Sequence, residues 1–156
     1  MRRFVPVRLL AVALAASSLM AIPLAEAASA AVTPVTCTKL VAPAPKAGLS
    51  TGTISGCSNA AATGGGGKQV TIIAKLTATI TWNGGKGTTT LKISYKAGPK
   101  VNKCAKGSSL IVAVGSVTGG SGAALKAIPK GSKYSESVCY DAKQNTSIEP
   151  GTKMVV

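Results

Sequence analysis

Along residues 70–82 every second position is apolar: Val70, Ile72, Ala74, Leu76, Ala78, Ile80 and Trp82. Between them stand Thr71, Lys75, Thr77, Thr79 and Thr81, with Ile73 the one exception. Successive side chains of a strand point to opposite faces, so this stretch predicts one long strand with a buried even face and a solvated odd face. Asn83-Gly84-Gly85-Lys86-Gly87 follows as a turn signal. Residues 88–96 then point Leu91, Ile93 and Tyr95 one way and Thr90, Lys92, Ser94 and Lys96 the other. Parity restricts this hairpin, because even residues of the first strand must meet odd residues of the second. A four-residue loop over 83–86, or a two-residue one on Gly84-Gly85, satisfies it. Ala78 then faces Leu91, Leu76 faces Ile93 and Ala74 faces Tyr95, with small against large in two of the three pairs.

The same reading places strands at residues 33–40 and 49–56, broken by Pro43 and Pro45. Residues 59–67, with four consecutive glycines, read as a flexible connection. A loop over 97–108 leads to a strand at 109–118, whose run Leu110-Ile111-Val112-Ala113-Val114 is apolar enough to be buried on both faces. Residues 123–128 suggest a short strand. Residues 132–140 alternate Tyr134, Glu136, Val138 and Tyr140 against Lys133, Ser135, Ser137 and Cys139. Residues 141–146 read as a loop, and 152–156 as a last strand. Outside the first residues no window carries a 3.6-residue apolar period. The expected fold is all-β: an antiparallel β-sandwich or a partly closed β-barrel of about seven or eight strands.

The start of the chain reads differently. Arg2, Arg3 and Arg8 precede apolar runs at 9–16 and 19–24, and then come Ala25-Glu26-Ala27 and Ala28-Ser29-Ala30. A basic head, an apolar run and small residues make a secretory signal peptide over residues 1–27, with cleavage near 27–31. The uninterrupted run is too short for a membrane span. A single secreted β domain, residues 28–156, is expected to remain, with no hydrophobic tail to anchor it.

Composition narrows the chemistry. Residues 28–156 hold 15 lysines against Glu136, Asp141 and Glu149, a net charge of +12, with no arginine and no histidine. Cys37, Cys57, Cys104 and Cys139 all lie in this part. Four cysteines in an oxidising compartment read as two disulfides with three possible connectivities. Nearest pairing, Cys37–Cys57 and Cys104–Cys139, closes the shorter loops. Without histidine or a C-x-x-C pair no metal site is expected, and no cofactor. The Gly64–Gly67 run before Lys68 lacks the phosphate-loop frame and precedes a strand.

The motifs Thr81-Trp82-Asn83-Gly84, Val117-Thr118-Gly119-Gly120-Ser121-Gly122 and Ile148-Glu149-Pro150-Gly151-Thr152-Lys153 resemble those of small secreted all-β proteins from high-GC Gram-positive, actinobacterial bacteria. The resemblance implies an extracellular β domain and transfers no catalytic or binding residue.

Catalysis is not expected: general acid–base work usually needs histidine or placed carboxylates. Glu136 and Asp141 flank Tyr140 and could approach each other, the basis of a carboxylate hydrolase, but isolated surface acids are the plainer reading. A Ser–Lys hydrolase would need S-x-x-K, whereas Lys-Gly-Ser at 106–108 and 130–132 reads as turns. The positive hint is charge. Lys96, Lys100, Lys103 and Lys106 crowd one loop around Cys104, and Lys75 and Lys92 stand on the outer face of the hairpin. They form a candidate contact for an anionic cell-envelope polymer or membrane surface. Nucleic acid is disfavoured, since arginine is absent and aromatics are few. The expected function is a secreted, non-catalytic, cell-envelope-associated or extracellular binding or structural protein. A small secreted hydrolase and a protein-recognition module are the alternatives.

Overall fold

A computed structural model describes residues 33–156. The export signal read over residues 1–27 and its cleavage region lie outside the described residues. Nine strands and two short helices follow in order: β1 (Thr36–Ala42), β2 (Leu49–Cys57), α1 (Ala60–Thr63), β3 (Gly66–Ile72), β4 (Thr77–Trp82), β5 (Gly87–Ala97), β6 (Ser109–Gly120), α2 (Gly122–Ala127), β7 (Lys133–Tyr140), β8 (Thr146–Ile148) and β9 (Met154–Val155).

Each strand from β1 to β8 pairs antiparallel with the next in sequence, and β8 pairs back to β1. The all-β fold is therefore a closed eight-stranded up-and-down barrel. Strand β9 lies end to end with β8 between the same neighbours: β8 meets Val138–Tyr140 and Val41–Ala42, and β9 meets Ser135 and Thr36–Cys37. Closure leaves no open edge across these strands.

The β4–β5 hairpin has the register that parity demands. Ala78 faces Leu91 and Trp82 faces Gly87 across the loop of residues 83–86. The long strand over 70–82 is corrected. It is two strands, folded back at Ile73-Ala74-Lys75-Leu76, with Leu76 in the left-handed region at φ 51° and its N–H donating to the Ile73 carbonyl at 3.2 Å. Ile72 faces Thr77, so inward positions change from odd in β3 to even in β4. Gln69 and Thr71 are buried inside the barrel, and Val70 and Ile72 are half-buried on its outer wall. Leu76 and Ile93 meet at the end of this ladder, where the Ile93 N–H donates to the Leu76 carbonyl at 2.8 Å, but the expected pair Ala74–Tyr95 does not form, because the chain turns at residues 73–76.

Two further expectations are corrected. Residues 59–67 are not a loose connection: α1 lies within them, and Gly66 and Gly67 pair in β3. A Cβ on Gly67 would stand 2.5 Å from the Thr81 carbonyl oxygen, so the glycine permits a close strand approach. Residues 123–128 are not a strand but α2 and its end, burying Ala124 and Ile128 four residues apart. The expected two-faced burial of 110–114 holds in part. Ala113 is buried and Ile111 half-buried toward the lumen, whereas Leu110 is buried beneath Gly98 of the outer loop.

Both disulfides form in the nearest-neighbour pattern, Cys37–Cys57 and Cys104–Cys139. The first joins β1 to β2 at one end of the barrel. The second ties the β5–β6 loop to β7 toward the other end.

That first end is closed. Trp82, Ile80, Leu91, Val117, Ile128, Met154, Val156 and Val35 pack there, each 2% exposed or less apart from Val156 at 3%. The Trp82 indole N–H donates to Thr89 Oγ1 at 2.8 Å, so the ring is buried with its polar atom satisfied. Val35 and Val156 exchange backbone hydrogen bonds at 2.7 and 2.9 Å.

Candidate functional site

The opposite end carries the β1–β2, β3–β4, β5–β6 and β7–β8 connections. No helix crosses it among the described residues. A pocket of about 330 Å³ opens there into the lumen, with Leu40, Ala42, Ile111 and Val138 on its walls and Gln69, Thr71 and Glu136 among them. Tyr95, Tyr140, Ile73 and Pro45 stand at its mouth. Gly52 keeps the space open: a Cβ there would lie 2.8 Å from Leu40 Cδ1.

Each polar side chain reaches the lumen through strand parity. Glu136 shares the inward face of β7 with Tyr134 and Val138. Ala113 of β6 faces it across the ladder, and Tyr95 faces Ala113 in turn. Gln69 and Thr71 come from β3, whose inward face is polar. The Gln69 amide donates to Thr71 Oγ1 at 3.4 Å. Gln69 Oε1, Glu136 Oε2 and the Tyr134 hydroxyl are buried without a hydrogen-bond partner in the protein.

Burial disfavours the charged form of these groups. It pushes the Glu136 carboxyl up to about 7, against the smaller pull of Tyr134 and Gln69 beside it. Tyr95 is pushed up to about 12, by burial first and by the Glu136 charge second. Tyr134 is raised well above the usual phenol value, again mainly by burial. The reading of Glu136 as a surface acid is thus corrected: it is 6% exposed and faces the lumen.

Glu136 and Asp141 are not brought together. Asp141 sits in the β7–β8 turn, where the Asn145 backbone N–H donates to Oδ1 at 2.8 Å and its side-chain amide to Oδ2 at 3.0 Å. Those bonds, the side-chain one foremost, hold its carboxyl below the usual range. Five residue steps of extended chain lie between the two acids, roughly 16 Å, well beyond the spacing of paired carboxylates in glycoside hydrolysis. Lys-Gly-Ser at 106–108 and 130–132 forms turns, with Ser108 and Ser132 donating to the carbonyls of Ala105 and Pro129. Glu149 Oε1 accepts from the Lys103 backbone N–H at 2.9 Å and anchors the β5–β6 loop.

All six lysines singled out by sequence are exposed. Lys75 lies in the β3–β4 turn, Lys92 and Lys96 on the outer face of β5, and Lys100, Lys103 and Lys106 in the loop beyond. Charge alone does not single this end out, since Lys68, Lys126, Lys130 and Lys133 are exposed toward the closed end. Apolar exposure does. Among the described residues the exposed large apolar ones are Val41, Leu49, Ile73, Leu76, Tyr95 and Val101, every one on the open rim or the strand ends that form it. A second depression, of about 310 Å³, lies on the outer wall beside Cys139 and Asp141.

Sequence reasoning missed Gln69, Thr71 and Tyr134 as lumen residues. The available signal was Glu136 itself, a carboxylate in register with Tyr134 and Val138 on a face that must be buried. Among the described residues no three His, Cys, Asp or Glu side chains gather as a metal site, and no helix is long and apolar enough to cross a membrane. Compared with protein-family models, curated proteins and solved structures, the chain matches none of them.

Proposed function

We propose that this chain is an exported, non-catalytic binding protein of the cell envelope that meets an anionic lipid surface with the open rim of its barrel. The observation that carries the reading is that, among the described residues, the exposed large apolar side chains are confined to that rim, beside Lys75, Lys100, Lys103 and Lys106. Apolar side chains entering the headgroup region and lysines facing anionic lipid are the two parts of interfacial binding. A lysine near such a surface contributes about 1 kcal/mol, screened by salt. The basic start of the chain and the two disulfides support an oxidising, extracytoplasmic setting.

Co-sedimentation with vesicles tests it. Binding to phosphatidylglycerol vesicles, loss on neutral phosphatidylcholine and weakening in high salt are expected. Ile73→Ser with Leu76→Ser should weaken vesicle binding even at low salt. Salt-sensitive binding to an anionic polysaccharide that ignores the apolar substitutions would replace the lipid by a polymer. No binding to either would overturn the reading.

A further inference from the structure

The rim accounts for the outside of the open end but not for the polar groups buried below it. Gln69 is 5% exposed and Glu136 6%, both line the pocket, and each carries an oxygen with no partner in the protein. A buried oxygen left unsatisfied disfavours the folded state, and more so when charged. The groups facing Glu136 are Tyr134 on its own strand, Gln69 from β3 and Tyr95 from β5, while β6 offers Ala113 and Ile111. None is cationic, so the positive partner a buried carboxylate needs is not supplied from these strands.

We propose that the upper lumen binds a small organic amine, its apolar body against Leu40, Ile111 and Val138 and its protonated amino group donating to Glu136 and Gln69. The donor inventory directs the choice. Gln69 Oε1 only accepts, as do the oxygens of an ionised Glu136, and the nearby donors, the Tyr134 hydroxyl and the Gln69 amide, are neutral, so the positive charge must come from the ligand. An ammonium supplies three, together with the missing charge. An alcohol of the same shape supplies one and no charge. A carboxylate meets like charge. The volume, about 330 Å³, lies at the small end of ligand pockets. Tyr95 and Tyr140 at the mouth add aromatic surface of the kind that accepts cations. A metal ion fits poorly, since one carboxylate and one amide fall short of an oxygen cage.

The test uses purified protein without lipid, so its failure is distinct from failure of the rim to bind membranes. The probes are 2-phenylethylamine and hexylamine, with 2-phenylethanol and 3-phenylpropionate as matched neutral and anionic controls. Calorimetry at pH 8 should give amine binding at least tenfold tighter than the alcohol, and none by the acid. Between pH 8 and pH 6 amine affinity should fall by about tenfold, as a carboxyl titrating near 7 takes up its proton. In the wild-type protein, amide shift changes should centre on Gln69, Thr71, Ile111 and Val138. The carboxyl carbon of Glu136 should titrate at lower pH when amine is present. Glu136→Gln should abolish the preference for amine over alcohol. Equal binding of amine and alcohol, shift changes elsewhere, an unmoved Glu136 titration, or no binding of either amine would overturn the proposal. The wild-type titration keeps the test decisive if Glu136→Gln does not fold.

Discussion

The two ends of this barrel are made by the same strands and differ in what those strands aim inward. At the closed end the inward residues are Trp82, Ile80, Leu91, Val117 and Met154, and the one buried indole N–H has its acceptor in Thr89. At the open end the inward residues are Gln69, Thr71, Glu136 and Tyr95, and two buried oxygens among them are unsatisfied. One end is a core that stabilises the ring. The other departs from the rule that buried polar groups are paired, and such departures cluster where proteins bind or react. An eight-stranded barrel is just wide enough for its side chains to fill it, so leaving half of it partly filled creates a pocket without changing the fold.

The difference can be broken from either side. Trp82→Ala should have the largest effect, costing about 3–5 kcal/mol by loss of a buried ring and its cavity, read as a shift of the urea midpoint. An equal loss from Tyr95→Ala, on the open rim, would contradict the division between the ends. Next comes Cys104→Ser with Cys139→Ser, which opens a link of sequence separation 35. It should cost about 2–4 kcal/mol and raise hydrogen exchange in residues 98–108 before the closed end responds.

Glu136 makes stability depend on pH with a defined sign. Its carboxyl titrates near 7 in the folded barrel, above the value of 4.5 expected when exposed. Between those values the folded state holds the extra proton, so stability is full below about pH 4.5 and falls as pH rises through 7. The drop from pH 5 to pH 8 should be on the order of 2–3 kcal/mol, with little further change above pH 8 from this group. Glu136→Gln should flatten the curve. A wild-type protein equally stable at pH 5 and pH 8 would place Glu136 in a solvated or cation-paired setting instead.

The smallest effect expected is a gain. Leu76 holds φ 51° and is 43% exposed, so its side chain contributes little packing while its backbone is strained. Leu76→Gly should stabilise the fold by up to about 1 kcal/mol and weaken attachment to anionic vesicles. Stability and surface binding would then move in opposite directions, as they should if the rim serves binding at a cost to the fold.

Much of this was legible one residue at a time. The alternation from Thr77 onward, the turn glycines after Trp82 and the parity of the two strands were enough to determine the β4–β5 register. The spacing of four cysteines pointed to both disulfides, because short loops close at lower entropic cost. The turn at Ile73-Ala74-Lys75-Leu76 was not legible. It contains no Gly, Pro, Asn or Asp, and a leucine rarely enters the left-handed region. The even alternation runs on through it, so the pattern looked unbroken while the chain reversed and exchanged its faces. That exchange hid the site, since it turned Thr71 from a presumed solvent face into the lumen and set Gln69, just before the expected strand, beside it. Helix α2 was missed because six residues are too few to display a helical period.

By itself, then, the sequence determined an all-β chain with one strong hairpin, two cysteine pairs and a high positive charge, because these follow from side-chain period, turn chemistry and composition, which are local. Only the tertiary structure decided that the sheet closes, that one end is packed and the other open, and that Glu136, Gln69 and Tyr134 converge inside it. Inside and outside are properties of a closed ring, and a carboxylate in a strand acquires its environment from neighbours that lie far away in sequence.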